Sequence, residues 1–147
     1  MRRRSKLLLI ACAAIVFLVL SAVLARWLAV DNAERNKVTA LIEAEARGDA
    51  AAMLAQLHGC DSHCRAIVIA DSRRLRRPGR VQILAYQSPT DHALSTATGT
   101  TRVAWKSSLQ RLPVVQCVEV QRRGNAITGL SVTLLTLSAQ IADTADC

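Results

Sequence analysis

Residues 58–64 read HGCDSHC, which sets two histidines and two cysteines within seven positions. Residue types of that kind could hold a metal, form a redox pair or close a disulfide. Zinc takes four nitrogen and sulfur ligands in a tetrahedron, and His58, Cys60, His63 and Cys64 would supply four. Their spacing follows no zinc-finger pattern, and adjacent His63 and Cys64 strain to reach one ion. A thioredoxin-type reading fails on two counts: the spacing is C-x-x-x-C, and no βαβ pattern surrounds it. A structural disulfide is the preferred reading, with no metal and no cofactor expected. Cysteines four apart in a regular helix have Cα atoms about 6 Å apart, near the upper end of the tolerated range. A Cys60 placed just ahead of a helix has room to adjust. Metal and reactive-thiol readings remain as alternatives.

The chain has five cysteines. Cys12 falls in an apolar run and reads as a small lipid-facing residue. Cys60, Cys64, Cys117 and Cys147 lie beyond it, and an even number in an oxidising space points to disulfides. Of three possible connectivities, Cys60–Cys64 with Cys117–Cys147 is preferred, the second pinning the C-terminal tail to the sheet. Closing that longer loop contributes roughly 3–4 kcal/mol by chain entropy.

A second cluster is SRRLRRPGR, with Arg73, Arg74, Arg76, Arg77 and Arg80 in eight residues. One reading is a patch for an anionic partner, such as lipid headgroups, a cell-wall polymer or nucleic acid; an envelope protein is a further candidate partner of the chain. The plainer and preferred reading is a helix C-terminus complementing its own dipole. Nucleic acid is not expected, because the domain is placed outside the cell and aromatics are 3% of the chain, thin for base stacking. No phosphate-binding glycine loop, G-x-S-x-G or H-E-x-x-H occurs. Asp91 and His92, with Ser95 nearby, give a weak hint of a triad on a loop.

These groups must be positioned by elements legible in the pattern. The 147 residues suffice for one domain with a modest core. Net charge is +8 at a pI near 10.1, and Arg outnumbers Lys sixteen to three. Arg2, Arg3, Arg4, Lys6 and Arg26 fall in the first thirty residues, so the remainder carries only +3. MRRRSK precedes nineteen uncharged, mostly apolar residues from Leu7 to Ala25. Such a run spans a bilayer core of about 30 Å as a helix, which satisfies its own backbone groups. Arg26 and Trp27 suit the interface, and the basic N-terminal cluster favours a cytoplasmic N-terminus. The division expected is a cytoplasmic tail over 1–6, a membrane helix over 7–30 and an extracytoplasmic domain over 31–147. A cleaved signal peptide, cut after Val23-Leu24-Ala25, is the rival reading, though its apolar region is usually shorter, about 7–15 residues. A lipobox at Leu9–Cys12 is set aside because the sequence after it stays apolar. Twin-arginine export is set aside because Lys6 stands where an aromatic residue is preferred.

Beyond residue 30, Val38, Leu41, Ile42 and Ala46 recur at helical spacing, with Asp31 or Asn32 as N-cap and Gly48 as stop. Asp49 caps a second helix carrying Met53, Leu54 and Leu57, broken by Gly59. Residues 61–77 read as a third helix, capped by Asp61 or Ser62 and stopped by Pro78-Gly79, although AIVIA alone could be a strand. RVQILAYQ alternates Val81, Ile83 and Ala85 against Gln82, Leu84 and Tyr86. Residues 88–100 read as a loop with a strand stub. TRVAWK sets Val103 and Trp105 opposite Arg102 and Lys106. Residues 113–138 read as a hairpin turning at Gly124-Asn125. Val114, Val118 and Val120 face Leu130, Val132 and Leu134 across it. The fold class expected is α+β: two or three helices on one face of a curved antiparallel sheet of about four strands.

The segment VTALIEAEARGDAAAMLAQL resembles the opening helices of nuclear transport factor two-like (cystatin-like) domains. A single membrane helix leading straight into such a domain is also similar to small anchored proteins of actinobacteria. The resemblance implies a helical hairpin cradling a bent sheet over residues 33–138. It also implies that any pocket would use Tyr86, Asp91 and His92. The superfamily includes many non-catalytic members, so fold alone is poor evidence of activity. The function expected is a non-catalytic, membrane-anchored extracytoplasmic interaction or envelope-associated module, with a cystatin-like small-ligand-binding or enzymatic pocket as the alternative.

Overall fold

The computed structural model describes residues 2–77, 79–90, 95–125 and 129–147. Helix α1 spans Arg2–Arg47 without interruption, 46 residues and about 69 Å at 1.5 Å per residue. The N-cap expected at Asp31 or Asn32 is therefore absent. Neither Gly nor Pro stands between Arg26 and Arg47, and an interior Asp or Asn costs under about 1 kcal/mol relative to Ala. Asp31 lies mid-helix and pairs with Arg35 at 3.7 Å and with Arg122 at 3.5 Å. Among the described residues, α1 is the one helix long and apolar enough to cross a membrane.

The two halves of α1 differ in packing. From Leu9 to Leu20 its large apolar side chains are each more than half exposed, whereas Val38, Leu41, Ile42 and Ala46 are buried at the expected spacing. Gly48 ends the helix with φ +76°. Its N–H donates to the Glu45 carbonyl at 2.8 Å and the next, Asp49, to Ala44 at 2.9 Å, the double bond of a Schellman cap. A Cβ at Gly48 would meet the Ser72 carbonyl oxygen at 2.9 Å, so the chain turns here at the cost only glycine avoids.

Helix α2, Ala50–Gln56, starts at the expected cap: Asp49 accepts from the Ala52 N–H at 2.9 Å. Helix α3 covers Ser62–Arg74, with Asp61 accepting from the Cys64 N–H at 2.8 Å. The helical reading of AIVIA holds because Cys64, Val68 and Leu75 bury one face. The helix ends at Arg74, short of residue 77.

Four strands follow: β1 Val81–Gln87, β2 Ser95–Ser107, β3 Val114–Asn125 and β4 Gly129–Leu137. They form one antiparallel sheet in the order β1-β2-β3-β4. Three departures from the sequence reading have clear causes. Residues 95–100 are strand rather than loop, because they pair with β3 from Ser95↔Asn125 to Thr100↔Glu119 and so gain ladder partners invisible locally. Gly124-Asn125 is not the turn, because pairing continues through Asn125↔Gly129. Tyr86 faces inward with Ile83, because a bulge between Ile83 and Ala85 inserts one residue and flips the alternation.

The inner face stacks Val103, Trp105, Val114, Val118, Val120, Leu134 and Leu137 against α1–α3. Leu130 lies outside the described side chains. Burial of each large side chain contributes about 1.5–3 kcal/mol. The tail extends along the free part of β3, with Ser138 N–H to the Cys117 carbonyl and Ile141 N–H to the Val115 carbonyl, each 2.8 Å. It then crosses the outer face, where Arg102 Nε donates to the Ala145 carbonyl at 3.0 Å. Val115 and Ala104, paired across β3 and β2, are also buried.

Candidate functional site

The cysteine-histidine stretch forms a staple. Cys60 and Cys64 are disulfide-bonded with Cα atoms 5.1 Å apart, and Cys117 and Cys147 with Cα atoms 5.8 Å apart. Cys60 precedes the Asp61 cap, outside α3, where its backbone can adjust to the bridge. His63 is exposed at the start of α3. Exposed His58 has its Nδ1 3.2 Å from the Gln56 carbonyl oxygen. Among the described residues no group of three or more His, Cys, Asp or Glu is arranged to hold a metal ion.

The pocket trio of Tyr86, Asp91 and His92 is only partly described. Asp91 and His92, and the Ser95 side chain, lie outside the described residues. Tyr86 donates its hydroxyl to Glu34 Oε1 at 2.6 Å, while the Arg35 guanidinium sits 4.7 Å from its ring centroid. Tyr86 thus belongs to a buried ionic cluster at the lower part of the domain, nearest the apolar half of α1. Glu34 and Arg122 are both fully buried, joined at 2.7 Å. Thr90 donates to Glu34 Oε2 at 3.0 Å and Thr101 to Oε1 at 3.2 Å. Burial alone would push the Glu34 carboxyl up. The hydroxyl donors around it and the Arg122 guanidinium together outweigh burial and hold it below its usual value.

A second buried cluster occupies the opposite end. The Gln116 amide is its hub: Oε1 accepts from the Trp105 indole at 3.0 Å, and Nε2 donates to Glu45 Oε1 at 2.8 Å. Asp71 Oδ2 lies 3.4 Å from the same nitrogen. Glu45 and Asp71 are almost wholly buried, and one exposed cation, Arg74, lies 3.5 Å from Asp71. Burial, then the neighbouring Asp71 charge, pushes Glu45 up to about 7 against the Gln116 hydrogen bond and Arg74. Burial likewise raises Asp71, with Arg74 and Gln116 opposing. Two adjacent carboxyls could serve general acid–base chemistry, but these have no exposed face to offer a substrate.

Both clusters escape a search for motifs, yet the periodicity carries them. Glu34 and Glu45 fall on the apolar stripe of α1, four residues before Val38 and four after Leu41. Gln116 and Arg122 continue the inward alternation of Val114, Val118 and Val120.

The arginine run divides. Arg73 and Arg74 occupy the last turn of α3, as the dipole reading expects. Arg77 reinforces that end: its Nη1 donates to the carbonyls of Arg74 at 2.9 Å and Arg76 at 3.0 Å, and its N–H to Ala46 at 2.9 Å. Arg76, Arg77 and Arg80 instead line an open cleft of about 810 Å³ together with Arg47, which the sequence alone did not single out. Among the described residues, Arg47, Arg76, Arg77 and Arg80 make no ion pair, whereas Arg35, Arg74, Arg102 and Arg122 do.

No known protein family, curated protein or solved structure matches this chain.

Proposed function

We propose that the chain is a single-pass membrane protein: residues 1–6 cytoplasmic, 7–30 in the bilayer and 31–147 an extracytoplasmic domain. Its role is that of a non-catalytic interaction module of the cell envelope. The observation that carries this reading is α1 itself. Half of one unbroken helix leaves its large apolar side chains exposed, and the other half is the spine of the core. An apolar run with no protein packed on it fits lipid, where its side chains lose no solvation and its backbone is already satisfied. The two disulfides support an oxidising compartment for the domain, and the N-terminal basic cluster supports its orientation.

The unbroken helix makes the anchor a stalk rather than a tether. The Glu34–Arg122–Asp31 ion network clamps it to β3 just past the proposed bilayer surface. The domain is thereby held at a fixed height and tilt, an arrangement suited to presenting a surface to a partner. The far end also carries exposed Leu109 and Leu112, 76% and 79% accessible. The order of helices before a bulged four-strand meander supports assignment to the nuclear transport factor two-like (cystatin-like) superfamily, as a non-catalytic member. A ligand pocket at Tyr86 is the less favoured reading, because its hydroxyl is already bonded to Glu34.

The test is a C-terminal alkaline phosphatase fusion, combined with carbonate extraction and intact mass. Active phosphatase in the carbonate-resistant membrane fraction, on a chain retaining residues 1–30, is the expected result. Extraction into the soluble fraction, loss of the first thirty residues or an inactive reporter would overturn it.

A further inference from the structure

The geometry points to the cleft formed by Arg47, Arg76, Arg77 and Arg80 as a binding site for a ligand carrying several phosphate or carboxylate groups. Three separate elements bring these guanidiniums together. Arg47 ends α1, Arg76 and Arg77 follow α3, and Arg80 leads into β1. The positions are fixed by the fold rather than by the ligand. Arg77 is bonded to Ala46 through its N–H and to the Arg74 and Arg76 carbonyls through Nη1. Arg80 exchanges bonds with Ser108, N–H to Oγ at 3.2 Å and carbonyl from N–H at 2.8 Å. The Arg76 stem packs over Gly48, its Cδ lying 3.0 Å from where a Cβ would stand.

Four like charges held around one cleft repel each other, and an oxyanion removes that repulsion. Among the described residues lining it, Glu43 is the one acidic residue, so the cleft keeps a net positive charge. Arginine's planar fork matches phosphate and carboxylate oxygens in pairs, and the open side of the cleft admits a polymer as well as a small molecule. The chain's own bilayer is an unsuitable source of these groups. Arg47 lies twenty-one residues beyond Arg26 on one helix, about 31 Å at 1.5 Å per residue, while a surface potential decays over about 8 Å at physiological salt. That exclusion rests on the anchored reading above; binding at the cleft does not.

The test uses the full-length protein in neutral detergent micelles, titrated calorimetrically with tripolyphosphate and separately with poly-L-glutamate. Runs at about 50 and about 200 mM salt read the charge dependence. Binding that weakens with salt is expected. Arg76→Gln/Arg80→Gln is expected to weaken it about tenfold or more. Arg65→Gln/Arg123→Gln, which removes equal charge from exposed residues outside the cleft, is expected to leave it within about twofold, because those charges lie off the site. Arg80→Gln alone removes a side chain with no intramolecular hydrogen bond or ion pair among the described residues, and it reports if the double variant unfolds. Binding of tripolyphosphate only assigns the site to phosphate, of poly-L-glutamate only to carboxylate, and of both to either group on a polymer. No binding of either probe, or equal weakening by the two double variants, would overturn the proposal, whatever the topology assay gives.

Discussion

Glu45 should make this domain less stable as pH rises from mildly acidic to mildly basic, the reverse of ordinary acid unfolding. Its carboxyl is fully buried, with Oε1 on the Gln116 amide at 2.8 Å and Oε2 without a hydrogen-bond partner among the described residues. Buried Asp71 adds a like charge nearby. The Glu45 proton, which leaves near 4.5 in the unfolded chain, is held up to about 7 in the fold. The folded state therefore binds more protons than the unfolded state across that window. The stability this proton confers is complete below about pH 4.5 and is lost as pH rises through 7. At about 1.4 kcal/mol per pH unit, the loss is about 3 kcal/mol, or roughly 10 °C in Tm for a domain of this size. The perturbation is Glu45→Gln, which keeps an acceptor for Gln116 and cannot ionise. The assay is thermal unfolding between pH 4.5 and 8, followed by Trp105 fluorescence in a Trp27→Phe background, since Trp105 donates to the same Gln116. The parent should lose about 3 kcal/mol more than the variant over this range. Equal slopes in the two proteins would refute the argument. Raised Asp71 adds loss of the same sign in both. Lowered Glu34 acts oppositely, its stabilisation being lost as pH falls below about 4.5. Stability is thus expected to peak in the mildly acidic range.

Arg122→Met leaves Glu34 buried without its closest cation and should cost about 3–5 kcal/mol in denaturant unfolding, with partial recovery in the Glu34→Gln/Arg122→Met double variant. Cys147→Ser opens a loop of sequence separation 30 and should cost about 4 kcal/mol, against about 2 kcal/mol for Cys64→Ser with separation 4. An intact-mass gain of about 4 Da on reduction would count the two bridges. Gly48→Ala forces a side chain into φ +76° against the Ser72 carbonyl and should lower stability by about 1–3 kcal/mol, read as a fall in Tm.

What was legible in advance followed from local rules. The three helix faces, the Asp49 and Asp61 caps and the Gly48 stop depend on spacing within a turn or two. The strand content of Val81–Gln87, Val114–Asn125 and Gly129–Leu137 depends on alternation. What was misread depended on distant partners. Residues 95–100, with threonines and a glycine, look like loop until β3 supplies their ladder. Asp31 looks like a cap until Arg122, ninety-one residues away, supplies a reason to keep it in the helix. The hairpin pair Gly124-Asn125 looks like a turn until β4 pairs beyond it.

The sequence by itself therefore determined the apolar run, the helix faces, the Gly48 stop and the inward stripe that places Glu34, Glu45, Gln116 and Arg122 in the interior. Hydrophobic period and backbone chemistry are local quantities, which one chain segment carries whole. Tertiary structure alone decided that Glu34 meets Arg122 rather than another cation. It also brought Glu45 and Asp71 to one amide, and it turned Tyr86 inward through a bulge. Finally it joined Arg47 to the end of the arginine run across the intervening helices α2 and α3. Those outcomes depend on register and on which surfaces meet, and they exist only once the helices have docked on the sheet.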